Sequence, residues 1–223
     1  MAAEQGARQV DVLWLVEHVD REFDVAVYCK VEIERRFGVT VEIANYYTEF
    51  ERVTTGIVPH VVLVPFFFSA DDVGSKQYCG AWPGATLVNL RWEQVLYKAN
   101  SALKQLRGDV ARDVVRHVAW SAANRDELVA QGARPDHVLL TGHPLFSLYE
   151  RPYRDAFVPR SALAAQHGLD PGRKWLFFPE NYRWAFVKDS TLRKLEARGT
   201  GITVEQLVEL REYCGESLRT VLG

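Results

Sequence analysis

The chain has 223 residues and a formal net charge of −2, and it holds three cysteines. Near-neutral charge argues against nucleic-acid binding by bulk electrostatics, and no apolar run approaches the roughly 20 residues of a membrane-spanning helix. Cys29, Cys79 and Cys214 lie far apart without CxxC spacing, so they are expected to be reduced thiols of a cytoplasmic protein rather than disulfides or metal ligands.

Val10–Val16 is almost continuously apolar, as in a central strand covered on both faces. Glu17 and His18 follow at its carboxyl end. Phe23, Val27 and Val31, with Ala26, Ile33 and Phe37 beside them, predict one broad apolar helix face that Gly38 ends. Val39–Ala44 alternates, which predicts a strand near the sheet edge. Tyr46–Thr55 is polar and aromatic, and is expected to be loop with a helical turn. His60–Phe68 is again continuously apolar; Pro65 inside it predicts that pairing stops near there. Ser69, Asp71 and Asp72 are placed to start a helix towards Cys79, and Trp82-Pro83 marks a turn. Thr86–Leu90 is the next strand, followed at once by Arg91-Trp92-Glu93-Gln94.

A basic connection, Lys98–Arg116, leads to His117–Trp120, a short strand. Either Ser121 or Asn124 is placed to cap the following helix; Asn124 would have Glu127 at capping-box spacing. Gly132 and Pro135 end that helix, and Val138–Thr141 is expected to be a buried strand closed by Gly142-His143-Pro144. Strands at 10–16, 39–44, 60–64, 86–90, 117–120 and 138–141, separated by helical stretches, predict an α/β fold with a Rossmann-like parallel sheet. Residues 1–144 form this first domain, and 145–172 are expected to link it to a second. In the second, Ser161–His167 is a helix, Trp175–Pro179 a strand, and the segment from Thr203 a helix with Leu207, Leu210, Cys214, Leu218 and Val221 on one stripe. Residues 173–223 thus look like the first strand and first long helix of a further Rossmann-like domain whose remainder is absent from this chain, so the expectation is either a fragment or elements that dock on the first domain.

Ligands of open parallel sheets sit outside the carboxyl ends of the strands. The polar groups expected there are Glu17, His18 and Arg21; Ser69, Asp71 and Asp72; Asn89, Arg91, Trp92 and Glu93; and Gly142-His143. His18 has the chemistry of a general base near neutral pH, with Glu17 to orient it or to act in its place. Arg21 suits an anionic group, Trp92 stacks on a sugar or base, and Arg91 and Glu93 supply directional hydrogen bonds. Asp71 and Asp72 are explained by the helix start alone, so no metal is expected. GxGxxG, P-loop, GxSxG and HExxH motifs are all absent.

LWLVEHVDREFD, VNLRWEQVLYKAN, HVAWSAANRDELVAQG, LLTGHP and FFPENYRWAF, in that order, resemble bacterial surface-carbohydrate (capsule or O-antigen polysaccharide) biosynthesis proteins, which look like GT-B glycosyltransferases. The resemblance implies an acceptor-side N-terminal domain with a base after its first strand, where His18 and Glu17 lie. It also implies a donor-side C-terminal domain to which Glu180, Asn181 and Arg183 would belong. The implied reaction transfers a sugar or polyol phosphate from a nucleotide sugar to a glycan or lipid-linked acceptor. It needs no cofactor beyond the nucleotide-activated donor, and peripheral membrane association is compatible with it. A nucleotide-sugar 2-epimerase, or a non-catalytic carbohydrate-binding subunit using Trp92 and Trp184, are the alternatives. The expectation for this chain alone is that it folds but lacks a full donor site.

Overall fold

The computed structural model describes residues 7–94, 104–175, 182–197 and 203–222. The chain divides into two compact units, Met1–Leu96 with Lys104–Ala156, and Tyr97–Leu103 with Phe157–Gly223. The segment expected to be a linker is thus shared between them.

The first unit is an α/β sandwich around a six-stranded, all-parallel sheet of order β2-β1-β3-β4-β5-β6. In chain order its elements are β1 (Arg8–Val16), α1 (Val19–Phe37), β2 (Val41–Asn45), α2 (Phe50–Gly56), β3 (Ile57–Val64), α3 (Val73–Ala81) and β4 (Thr86–Asn89). A π-helical turn, Val110–Val114, precedes β5 (Arg116–Ala119), α4 (Ala122–Ala130) and β6 (Val138–Leu140). The Rossmann-like α/β fold read from the alternation of apolar runs and helices is the one observed. β2 is an edge strand, as its alternation suggested.

Side chains alternate across the sheet. Leu13, Leu15, Val62, Val64 and Ala119 face α2, α3 and α4, forming the larger core with Val53, Tyr78 and Leu128. Trp14, Val16, Val88, Leu90 and Val118 face the other way, where α1 brings Ala26 with Cys29 and Ile33.

Several local expectations are corrected. β3 begins at Ile57, three residues before the expected His60, because α2 runs straight into it. Pro59 is tolerated within β3 because β4 pairs only with Val61–Val64, so at Pro59 the strand has β1 as its one neighbour. Pairing ends at Val64, before Pro65, as expected. In α1 the expected face is only partly in the core: Phe23, Val27 and Val31 are 44%, 37% and 52% accessible, while Ala26 and Ile33 pack on the sheet. The helix instead turns Glu22, Val25 and Ala26 to the interior, where the methyl of Ala26 permits close approach to the sheet. Gly38 stops the helix in the left-handed conformation at φ 66°, its N–H donating to the Glu34 carbonyl. Ser121, not Asn124, caps α4, its Oγ accepting from the Asn124 N–H at 3.2 Å. β6 lies at the sheet edge and only Val138 joins the core; Leu139 and Leu140 are exposed.

The second unit contains α5 (Arg160–His167), α6 (Asp189–Ala197) and α7 (Val204–Leu222). Thr203 and Gln206 form a reciprocal capping box at the start of α7: each side chain accepts from the other's backbone N–H, at 3.3 and 3.0 Å. On the expected stripe Leu207 is buried, and Leu210, Cys214 and Leu218 are half-buried. The Arg160 guanidinium lies 3.9 Å from the centre of the Trp175 ring. Apart from Trp175, the expected strand Trp175–Pro179 lies outside the described residues.

Candidate functional site

In the order β2-β1-β3, successive crossovers leave β1 in opposite directions, so the carboxyl ends of β1 and β3 flank the crevice where such sheets bind ligands. A pocket of about 250 Å3 opens there. Glu17 reaches it from the end of β1, Phe66 and Phe68 from the end of β3, and Arg91, Trp92 and Glu93 from the end of β4.

The run Phe66-Phe67-Phe68 alternates although it is no longer paired strand. Phe67 is fully buried, while Phe66 and Phe68 turn to the pocket and stack with ring centres 6.4 Å apart and planes 11° from parallel. Backbone bonds fix this wall: the Trp92 N–H donates to the Pro65 carbonyl at 3.2 Å, and the Arg107 N–H to the Phe68 carbonyl at 2.8 Å.

Ionised groups converge beside these rings. Glu17 accepts from the Tyr47 hydroxyl at 2.9 Å, and His18 Nε2 lies 3.7 Å from the same carboxylate. Arg21 stands between two carboxylates, 3.8 Å from Glu17 and 3.6 Å from Glu93. Lys104 completes the group by pairing with Glu93. Behind them Glu22 is fully buried. One of its oxygens accepts from the Glu17 N–H at 2.8 Å and the other from Arg21 at 3.0 Å, so a carboxylate with no access to water holds both residues in register. Partial burial works against the Glu93 carboxylate, but Lys104, Arg21 and His18 outweigh it and hold its pKa below the ordinary value. Desolvation and the bond to Glu17 push the Tyr47 phenol up to about 12, so it stays a donor at neutral pH.

Beneath the pocket a buried polar chain shapes the turn after β4. Asn89 Nδ2 donates to the Phe67 carbonyl at 2.8 Å and faces His117 Nδ1 at 3.1 Å, and Asn89 Oδ1 accepts from the Arg91 N–H at 3.1 Å. His117 Nε2 lies 2.7 Å from the Ala111 carbonyl. A carbonyl only accepts, so Nε2 carries the proton and Nδ1 accepts from Asn89. Burial lowers the His117 pKa to about 4, keeping the ring neutral. Arg91 adopts φ 48°, the left-handed region, with its side chain 1% exposed and 3.8 Å from the Glu127 carboxylate. None of its guanidinium nitrogens has a hydrogen-bond partner among the described residues, and burial lowers its pKa.

The structure therefore gathers Glu17, His18, Arg21, Arg91, Trp92 and Glu93 around one crevice, with His18 at its rim. Asn89 is fully buried and acts on the crevice through the backbone of Arg91. His143 is not among the residues lining it; its ring packs 4.0 Å from Trp120 and 5.4 Å from Trp92, and its Nδ1 accepts from the Leu145 N–H at 3.1 Å. Arg183 falls in a 3-10 turn of the second unit, Tyr182–Phe186. Glu180 and Asn181 lie outside the described residues.

Sequence reasoning missed Tyr47, Glu22, Phe66, Phe68, Lys104 and His117. The phenylalanines had a signal, since alternation carried past Pro65 turns two of the three rings outward. Glu22 had none, because a glutamate in the first turn of a helix reads as a solvated dipole partner. Among the described residues no group of three acidic, histidine or cysteine side chains is placed to hold a metal, and no helix is long and apolar enough to cross a membrane. The sequence matches no known protein family and no curated protein at a significant level.

Proposed function

We propose that the first unit presents an acceptor sugar for glycosyl transfer from a nucleotide-activated donor, in a pathway that builds surface polysaccharide. The observation that carries this reading is the crevice pocket, of about 250 Å3, which Phe66, Phe68 and Trp92 line together with Glu17. That volume suits one sugar ring. Aromatic faces receive the ring's C–H surface while carboxylates and guanidinium groups take its hydroxyls.

In this mechanism Glu17 is the base. Its side chain is 17% exposed, against 55% for His18, so it is the better shielded of the two. The acceptor hydroxyl oxygen attacks the anomeric carbon of the donor, the bond from that carbon to the leaving phosphate breaks, and the hydroxyl proton passes to Glu17. Tyr47 and Arg21 orient the carboxylate, and Glu22 fixes the backbone that carries it. The donor belongs to the second unit in this reading, with Glu180, Asn181 and Arg183 as the residues expected to meet it.

Titration of the chain with a panel of bacterial surface oligosaccharides, followed by NMR, tests acceptor binding. Binding is expected, and it should be lost in Trp92→Ala and in the double variant Phe66→Ala, Phe68→Ala. Binding that survives both variants sinks the assignment of this pocket. In Glu17→Gln acceptor binding should persist, and any nucleotide release that donor sugars elicit should fall by about 10²–10⁴-fold. An altered nucleotide sugar formed without acceptor would instead identify an epimerase.

A further inference from the structure

The crevice of the first unit gathers an excess of negative charge among aromatic rings. Its carboxylates are Glu17, Glu93 and, fully buried behind them, Glu22. Two cations stand against these among the described residues. Arg21 lies 3.0 Å from Glu22, 3.6 Å from Glu93 and 3.8 Å from Glu17, so one guanidinium serves all three carboxylates, and Lys104 pairs with Glu93. Arg91 leaves the balance unchanged. Its guanidinium nitrogens are sealed from solvent, and its partner at 3.8 Å is the Glu127 carboxylate, which is not part of the crevice lining. His18, at the rim, adds positive charge only when protonated. A larger cavity, of about 430 Å3, on the α1 face of the sheet has the opposite balance: Glu32 there pairs with both Arg35 and Arg36, at 2.8 and 2.7 Å.

A carboxylate excess repels acidic sugars and draws cations. Aromatic rings act in the same sense, because the negative face of a ring attracts an ammonium within about 6 Å of its centre. Phe66, Phe68 and Trp92 line the pocket together with Glu17 and Glu93. The Glu93 carboxylate is 57% exposed and has capacity for a further donor, since a carboxylate accepts about four hydrogen bonds and Lys104 supplies one of them.

We infer that the acceptor held in this crevice is an amino sugar whose amine is free and protonated. The ammonium donates to Glu93 and rests against the aromatic lining, while Glu17 stays available as the base for a hydroxyl of the same sugar. The inference rests on the reading of this crevice as the acceptor site and narrows it, placing N-acetylated and acidic sugars at a disadvantage.

Titration of the ¹⁵N-labelled chain at pH 7 with glucosamine, glucose, N-acetylglucosamine and glucuronate tests it, with choline as an ammonium that carries no sugar ring. Glucosamine should bind at least about tenfold tighter than glucose or N-acetylglucosamine, and glucuronate should bind weakest. Choline should shift the amide signals of Phe66, Phe68, Trp92 and Glu93 and compete with glucosamine. In Glu93→Gln and in Phe66→Leu the preference for glucosamine over glucose should fall to about threefold or less. If Phe66→Leu fails to fold, Glu93→Gln decides, because that side chain is largely exposed. Equal affinity for glucosamine and glucose, tighter binding of glucuronate, or a preference that survives Glu93→Gln overturns the proposal. If no sugar binds, the acceptor reading of the crevice fails, and choline alone then decides whether the crevice takes an ammonium; the absence of a saturable shift with choline overturns that as well.

Discussion

On one face of the sheet, α2, α3, the Val110–Val114 turn and α4 cover Leu13, Leu15, Val62 and Val64, all of them sealed from solvent. On the other, α1 covers the strands near it, and the floor beyond it lies under a cavity of about 430 Å3. The same sheet thus offers a packed face that sets stability and a partly open face with space for a ligand. The buried polar chain of Asn89 and His117 belongs to the packed face, so the turn that carries Arg91, Trp92 and Glu93 is anchored in the rigid half of the unit.

Truncation of core leucines is the strongest way to break this contrast. Leu13→Ala, on the packed face, should cost about 3–5 kcal/mol, because lost burial is compounded by a new cavity. Leu63→Ala, on the wall of an existing cavity, should cost about 1 kcal/mol, since less of its surface is in contact. Urea denaturation of the two variants measures both, and equal losses would mean that the faces do not differ.

A second effect is the pH dependence of the packed face. Unfolded, His117 titrates near its ordinary value of 6.5; folded, burial holds it at about 4. The unfolded chain therefore binds more protons between those values. The stability in question is complete above pH 6.5 and is lost as the pH falls towards 4, by up to about 3 kcal/mol. His117→Gln, whose amide can both accept from Asn89 and donate to the Ala111 carbonyl, should flatten the profile in that window. An unchanged slope in the variant would assign the pH dependence to other groups, His143 being one whose pKa burial also lowers.

The smallest effect concerns the start of α4. Ser121→Ala should cost about 1 kcal/mol and Ser121→Asp almost nothing, because aspartate restores an acceptor for the Asn124 N–H. Thermal unfolding of the two variants separates capping from mere exposure.

The strands were legible because each is a short apolar run bounded by turn residues, and the placement of polar groups at their carboxyl ends followed from parallel winding alone. What stayed hidden depends on contacts across the chain. Apolar residues every fourth position in α1 marked a stripe but not its direction, and packing chose the row of Ala26 over that of Phe23. Glu22 is buried because its two oxygens are occupied by Glu17 and Arg21. Lys104 enters the site through a partner eleven residues away, Glu93, which no local pattern records.

Cys29, on the α1 wall of the apolar pocket, gives that cavity a clock. Burial raises its thiol pKa to about 11, so at pH 8 only about one molecule in a thousand carries the thiolate that reacts with alkylating reagents. Alkylation at this position is therefore slow, although the side chain is only half-buried. The rate of that reaction reads out access to the pocket, and whatever covers the Cys29 side chain should slow it further.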